Sequence, residues 1–193
     1  MSNSCVRKLF DKGDKFITSP KLILSELHDF YTELYSNCDS PNHNDASDAF
    51  LDHCRLPTLN EESKQICKGA LTKAECFKAL QTFKNGKSLG NDGLTAEFYQ
   101  AFWLTLSHFL VDSLNSSFEK RELANSQKQG IIKLIQKKNK DKRYVTNWRP
   151  VSLLNVDVKI ASKAITLRLE KVLSDLISDE QCAYVKGTDF DKF

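Results

Sequence analysis

No apolar run in this 193-residue chain approaches the roughly 18–20 residues that a bilayer crossing needs, so no membrane span is expected. The opening Met-Ser-Asn-Ser-Cys-Val-Arg-Lys has no apolar segment of the kind a secretory signal carries. Six cysteines (Cys5, Cys38, Cys54, Cys67, Cys76, Cys182) lack the closely spaced pairs of zinc sites. His53-Cys54 with Cys67 comes nearest to a cluster, and it has no paired second half. Scattered thiols fit a reducing compartment, so the expected location is intracellular, in nucleus or cytoplasm. No Ser-His-Asp, Cys-His or Glu-x-x-His constellation stands out. His28 and His108 fall in helical stretches, where a surface or core histidine is the ordinary outcome. Gly86-Lys87-Ser88 has the ending of a phosphate-binding loop, but the glycine required five residues earlier is Gln81, and a helix leads in instead of a strand. The residues alone assign no catalytic group and no metal ligand.

Net positive charge is also confined to one place. Lys128 to Arg149 holds eight basic residues against the single acid Asp141, a net +7, whereas the whole chain carries only +3. Residues 1–127 sum to −3 and residues 150–193 to −1. The concentrated stretch reads as a strand over Ile131–Gln136, a basic loop, and a second strand over Trp148–Leu154. Pro150 has no N–H for a ladder, which makes that strand an edge at this point. The loop cations Lys138, Lys140, Lys142 and Arg143, beside Lys137, have two readings. They form a solvated turn that aids solubility, or they neutralise phosphates in a salt-dependent way. Tyr144 and Trp148 interleave with them and are expected to stack on a base or sugar. Arg149 sits within a strand, which would hold its guanidinium at a fixed angle for two-pronged phosphate contact.

Helices account for most of the rest. Ser19-Pro20 opens one that runs to about Tyr35, with Ile23, Leu27, Phe30 and Leu34 as its apolar stripe. Residues 37–48 are polar and read as a loop or linker. Pro57–Glu62 leads into another helix. Thr72 and Glu75 form a capping box for a helix carrying Phe77, Leu80 and Phe83 and ending near Asn85-Gly86. After a glycine-punctuated loop, in which Asp92 is a turn residue, a long helix is predicted from Thr95 to about Glu122. Phe98, Phe102, Leu106, Phe109 and Leu110 share one side of it, and a break is expected at Asn115-Ser116-Ser117. A last helix covers Asp157 to Ile177, with Val158, Ala161, Ile165, Leu169, Val172 and Leu176 as its buried stripe. About five helices and one antiparallel hairpin make the expected fold helix-rich α+β. Asp189 and Asp191 read as an exposed acidic tail, since no apolar strand precedes them to hold them rigid.

Four ordered blocks carry a family resemblance. They are Lys87-Ser-x-Gly-x-Asp-Gly-Leu-Thr-Ala-Glu-Phe-Tyr99, Ile131-Ile-x-Leu-Ile-x-Lys-Lys138, Asn147-Trp-Arg-Pro-x-Ser-Leu-Leu-Asn-Val-Asp-x-Lys-Ile160, and Leu176-Ile-Ser-x-x-Gln181. In this order, with the Phe30-Tyr31-x-x-Leu34-Tyr35 helix upstream, residues 9–187 resemble a LINE-type non-LTR retrotransposon reverse transcriptase. The resemblance implies the fingers subdomain of a right-hand polymerase over residues 71–193, preceded by a helical segment over residues 1–70. In such enzymes the palm aspartates lie further downstream, so this chain alone is expected to be inactive. The resemblance also implies Mg²⁺ for the intact enzyme and none bound by this chain. RNA template, DNA primer and deoxynucleoside triphosphate are the implied partners, with palm and thumb as intramolecular ones. Lys137 and Arg149 match the family's fingers lysine and returning-strand arginine, which grip the incoming triphosphate. Gln181 to Gly187 matches a loop near the template.

The chain departs from the family at Leu89, Asn91 and Gln136, where proline is usual, at Ala183-Tyr184, where Gly-Phe is usual, and at Thr188, often arginine. Beyond Gly187 the pattern stops, which reads as a splice, a frameshift or a degenerate copy. Two alternatives stay open: a truncated or domesticated nucleic-acid-binding module, and a non-functional translated relic.

Overall fold

A computed structural model of the protein describes residues 6–36 and 57–177. The polar segment at 37–48, Gln181, Asp189, Asp191 and the His53-Cys54 pair lie outside those residues. The chain divides into two compact units, Met1–His53 with Ile132–Ser152, and Cys54–Ile131 with Leu153–Phe193. The described elements are six α-helices and two small two-stranded sheets, a mixed α and β composition in keeping with α+β.

The first unit begins with a hairpin that the sequence reading did not anticipate. Strands β1 (Leu9–Phe10) and β2 (Phe16–Ile17) pair antiparallel, with Leu9 opposite Ile17 and Phe10 opposite Phe16. Two-residue strands carry no readable alternation, so only the turn chemistry identifies them. Asp11 closes that turn by accepting from the backbone N–H groups of Gly13 and Lys15, each at 2.9 Å. Helix α1 (Pro20–Tyr35) follows, with the predicted bounds. Of its expected stripe only Ile23 is buried, joining Leu9 and Ile17 in a small core with Val6 and Leu27 alongside. Leu34 is 58% exposed, because the hairpin is too short to cover more than the first half of the helix.

The second unit is helical. Helix α2 (Glu61–Cys67) is capped by Asn60, whose Oδ1 accepts from Ser63 N at 2.8 Å. Glu61 and Glu62 in its first turn suit the positive end of the helix dipole. Helix α3 (Lys73–Gln81) starts on the predicted capping box. Thr72 Oγ1 accepts from Glu75 N, and Glu75 Oε2 accepts from Thr72 N. Helices α4 (Ala96–Ala101) and α5 (Trp103–Lys120) replace the single long helix expected. The break falls at Phe102, with φ −103° and ψ 17°, and not at Asn115-Ser116-Ser117. The Asn115 amide is instead consumed by Leu71, accepting from its N–H at 2.8 Å and donating to its C=O at 2.9 Å. Asn115 is thereby turned toward Leu71 and away from the backbone of its own helix. The turn at Phe102 lets Ala96 and Tyr99 on one helix and Trp103, Val111 and Leu114 on the next share one core. The predicted side loses out: Phe102 is 52% and Phe109 65% exposed.

Helix α6 (Val156–Leu169) completes the unit, shorter than expected, with a 3-10 turn at Leu173–Asp175 behind it. Its buried row is Val156, Ile160 and Ala164, set against Cys76, Ala79 and Leu80 of α3. The predicted stripe is covered only in part: Val172 is fully buried and Ala161 packs against the core, but Ile165 is 44% exposed and with Leu169 lines an open cavity. Apolar residues occupy two faces of α6, and periodicity cannot say which one α3 will cover. Leu80 and Ile160 are fully buried, each worth about 1.5–3 kcal/mol of burial. Burial also pushes the Cys76 thiol up to about 11, which leaves it inert at neutral pH.

Two features lock this unit. Gly90 lies so close to Asn155 that an added Cβ would sit 2.1 Å from its Oδ1 and 2.5 Å from its Cα. Asn155 Nδ2 also donates to Ser126 O at 2.9 Å, so one buried amide joins two loops at the start of α6. At the other end, Arg168 Nε and Nη2 grip the Glu75 carboxylate at 2.6 and 2.8 Å. Its Nη1 and Nη2 also donate to Gly69 O and Ala70 O, both at 2.8 Å. The hydrogen bonds from Arg168, reinforced by those from Thr72, hold the Glu75 carboxyl down at about 2.

Candidate functional site

The basic hairpin forms where the two β-rich runs predicted it. Strand β3 (Gly130–Gln136) pairs with β4 (Trp148–Leu154). The turn between them is built rather than loose. Lys137 N donates to Asn147 O at 2.8 Å, and Lys140 N to Lys137 O at 3.2 Å. Asn139 takes a left-handed conformation with φ 60°, which asparagine tolerates better than most residues. Gln136 Nε2 donates to Lys140 O, Asn147 Nδ2 to Asp141 O and Trp148 Nε1 to Lys142 O, all between 2.8 and 2.9 Å. A turn that exists only for solubility does not need three side chains bound to its own carbonyls.

This scaffold sorts the expected site residues. Lys138, Lys140 and Lys142 are exposed and have no carboxylate partner among the described residues. Arg143 is exposed but committed: it forks onto Asp141, with Nη2 to Oδ2 at 2.7 Å. That hydrogen-bonded pairing holds the Asp141 carboxyl below its ordinary value. Trp148 is a correction. It is 7% exposed, with its Nε1 spent on Lys142 O, so it props the turn from inside and offers no face to a base. Tyr144, at 42% exposure, keeps its ring accessible.

Lys137 is half-buried, and its ammonium donates to Thr146 O at 2.7 Å. This fixes the stem and leaves two N–H donors outward. Arg149 is exposed on β4. The Lys137–Asn147 bond closes the turn end of the hairpin, and Arg149 follows two residues beyond Asn147, at the start of β4.

A second basic feature escaped the sequence reading. Lys84 and Lys87, after α3, and Lys159 and Lys163, on α6, line a cavity of about 520 Å³ in the second unit. The signal was present as the i, i+4 spacing of Lys159 and Lys163. It was unreadable without knowing that the Lys87 loop folds back across that face. Among the described residues no three His, Cys, Asp or Glu side chains converge on a point that would hold a metal ion. The described residues therefore do not fit the Mg²⁺ that a polymerase uses, and no chemical step is assigned to it. No described helix is long and apolar enough to cross a membrane.

Fold and hairpin together define a helix-rich α+β chain with one ordered, cation-bearing β-turn. No family model matches it. Over 179 residues, 93% of this chain, it is 39% identical to a protein of Xenopus laevis described as Transposon TX1 uncharacterized 149 kDa protein. The aligned region makes up 13% of that protein. The chain is thus similar to a segment of a transposon-encoded protein.

Proposed function

We propose that this chain is the fingers region of an RNA-directed DNA polymerase, and that its β3–β4 hairpin holds phosphates of nucleotide and nucleic acid. The observation that carries this reading is the built turn, with Lys137 pinned at its edge and Arg149 exposed at the start of the returning strand. Lysine supplies a compact point charge and arginine a planar fork. Across one hairpin the pair is suited to a triphosphate, whose charge must be neutralised in place for phosphoryl transfer. The exposed Lys138, Lys140 and Lys142 supply general attraction for an RNA template and DNA primer. The similarity to a transposon protein supplies the context in which such a polymerase is expected.

The test is binding of single-stranded RNA by the full chain as salt is raised. Each phosphate neutralised should contribute about 0.7 to the slope of log K against log salt. A slope of about −2 is expected from the three free lysines. Salt-independent binding, or none, would remove the reading.

A further inference from the structure

The basic charge of residues 128–149 is not alone in its unit. The β1–β2 hairpin, more than a hundred residues earlier in sequence, is joined directly to the basic turn. Phe10 N donates to Arg143 O at 2.8 Å. The Phe10 ring lies 5.2 Å from Tyr144 and 5.4 Å from Phe16, with the Arg143 guanidinium 5.3 Å above it. Lys8 Nζ sits 5.6 Å from the Phe16 ring. Phe16 is 44% exposed and Tyr144 42%, so two rings of the cluster face solvent on either side of Phe10.

The cations of the β1–β2 segment are largely uncommitted, and Lys8 among them sits at a ring. Lys12 is paired with Glu33, and Asp11 spends its carboxylate on the β1–β2 turn. Arg7, Lys8 and Lys15 form no ion pair among the described residues. Exposed aromatic rings flanked by free cations make a surface that accepts unpaired bases on the rings and the strand's phosphates on the cations. A duplex keeps its bases stacked inside and would offer these rings nothing.

We propose that Lys8, Phe16 and Tyr144 form a single-stranded nucleic-acid platform continuous with the basic turn, with Phe10 as the positioning residue that holds the two parts together. This rests on the reading of the hairpin as a nucleic-acid contact, and it extends that contact to the N-terminal strands. The combined surface follows the strand by charge and stacking, without reading its sequence.

The experiment measures binding of a labelled oligouridylate to the full chain by fluorescence anisotropy across a salt series. It is accompanied by ultraviolet crosslinking to uracil and mapping of the crosslinked peptides. Phe16→Leu keeps an apolar side chain and removes the π face, and it is expected to weaken binding about tenfold. Lys8→Gln, a surface change with little effect on folding, should flatten the salt slope by about 0.7. Crosslinks should map to the peptide containing Phe16 or to that containing Tyr144. Suppose instead that these variants bind like the parent and crosslinks avoid both peptides, while Lys138→Gln/Lys140→Gln/Lys142→Gln loses binding. The platform is then wrong and the hairpin reading survives. Absence of binding by the parent chain would remove both.

Discussion

Replacing Arg168 by leucine should destabilise the second unit more than any other change to a charged residue there. The side chain is 11% exposed and donates to the Glu75 carboxylate, Gly69 O and Ala70 O. Leucine fills part of the volume and leaves all of these acceptors without their donor. Breaking a buried pair by removing one partner costs about 3–5 kcal/mol. Glu75 is a third exposed, so water screens it once Arg168 is gone, and a loss of about 2 kcal/mol is the better expectation. Lysine at 168 reaches Glu75 with one point charge and cannot serve the carbonyls as well, so Arg168→Lys should recover only part of the loss. The pH dependence has a definite sign. The folded-state carboxyl of Glu75 is held at about 2, below the ordinary 4.5. Its contribution is therefore complete above about pH 4.5 and lost as pH falls toward 2. Urea melts of the parent chain and both variants at neutral pH and near pH 3 provide the assay. If Arg168→Leu shifts stability by less than about 0.5 kcal/mol, the clamp does not hold the Lys68–Ala70 segment to α6.

Two further changes test the packing around it. Gly90→Ala forces a methyl against the backbone and amide of Asn155, and thermal denaturation should show a loss of about 1–3 kcal/mol. Asn115→Ala strands both polar groups of Leu71 and should cost about 1–2 kcal/mol in the same assay. An unchanged melt would mean that helix α5 does not need that link.

Much of this fold was legible because its local chemistry is strong. Proline at the first helical position fixed the start of α1, and the Thr72–Glu75 box fixed α3. The β-rich runs set β3 and β4 to within a residue. What failed needed knowledge of neighbours. Helix α6 carries apolar residues on two faces, and only the position of α3 decides that Ile160 goes in and Ile165 stays out. Asn115 reads as a helix breaker until its amide is seen bonded to Leu71. Within the candidate site, the cations were correctly placed on one turn, but Trp148 could not be recognised as its internal prop. The pairing of Phe10 with Tyr144 joins segments too distant for any motif to connect.

The most direct measurement of the central claim is calorimetric titration of a deoxynucleoside triphosphate into the full chain and into the Lys137→Ala/Arg149→Ala variant. Hydrogen bonds to charged groups are worth about 1.5–3 kcal/mol, so loss of the pair should weaken binding at least about tenfold. The triphosphate should also lose more affinity than the corresponding nucleoside. Equal affinity of parent and variant for the triphosphate would contradict the assignment of these two residues to phosphate.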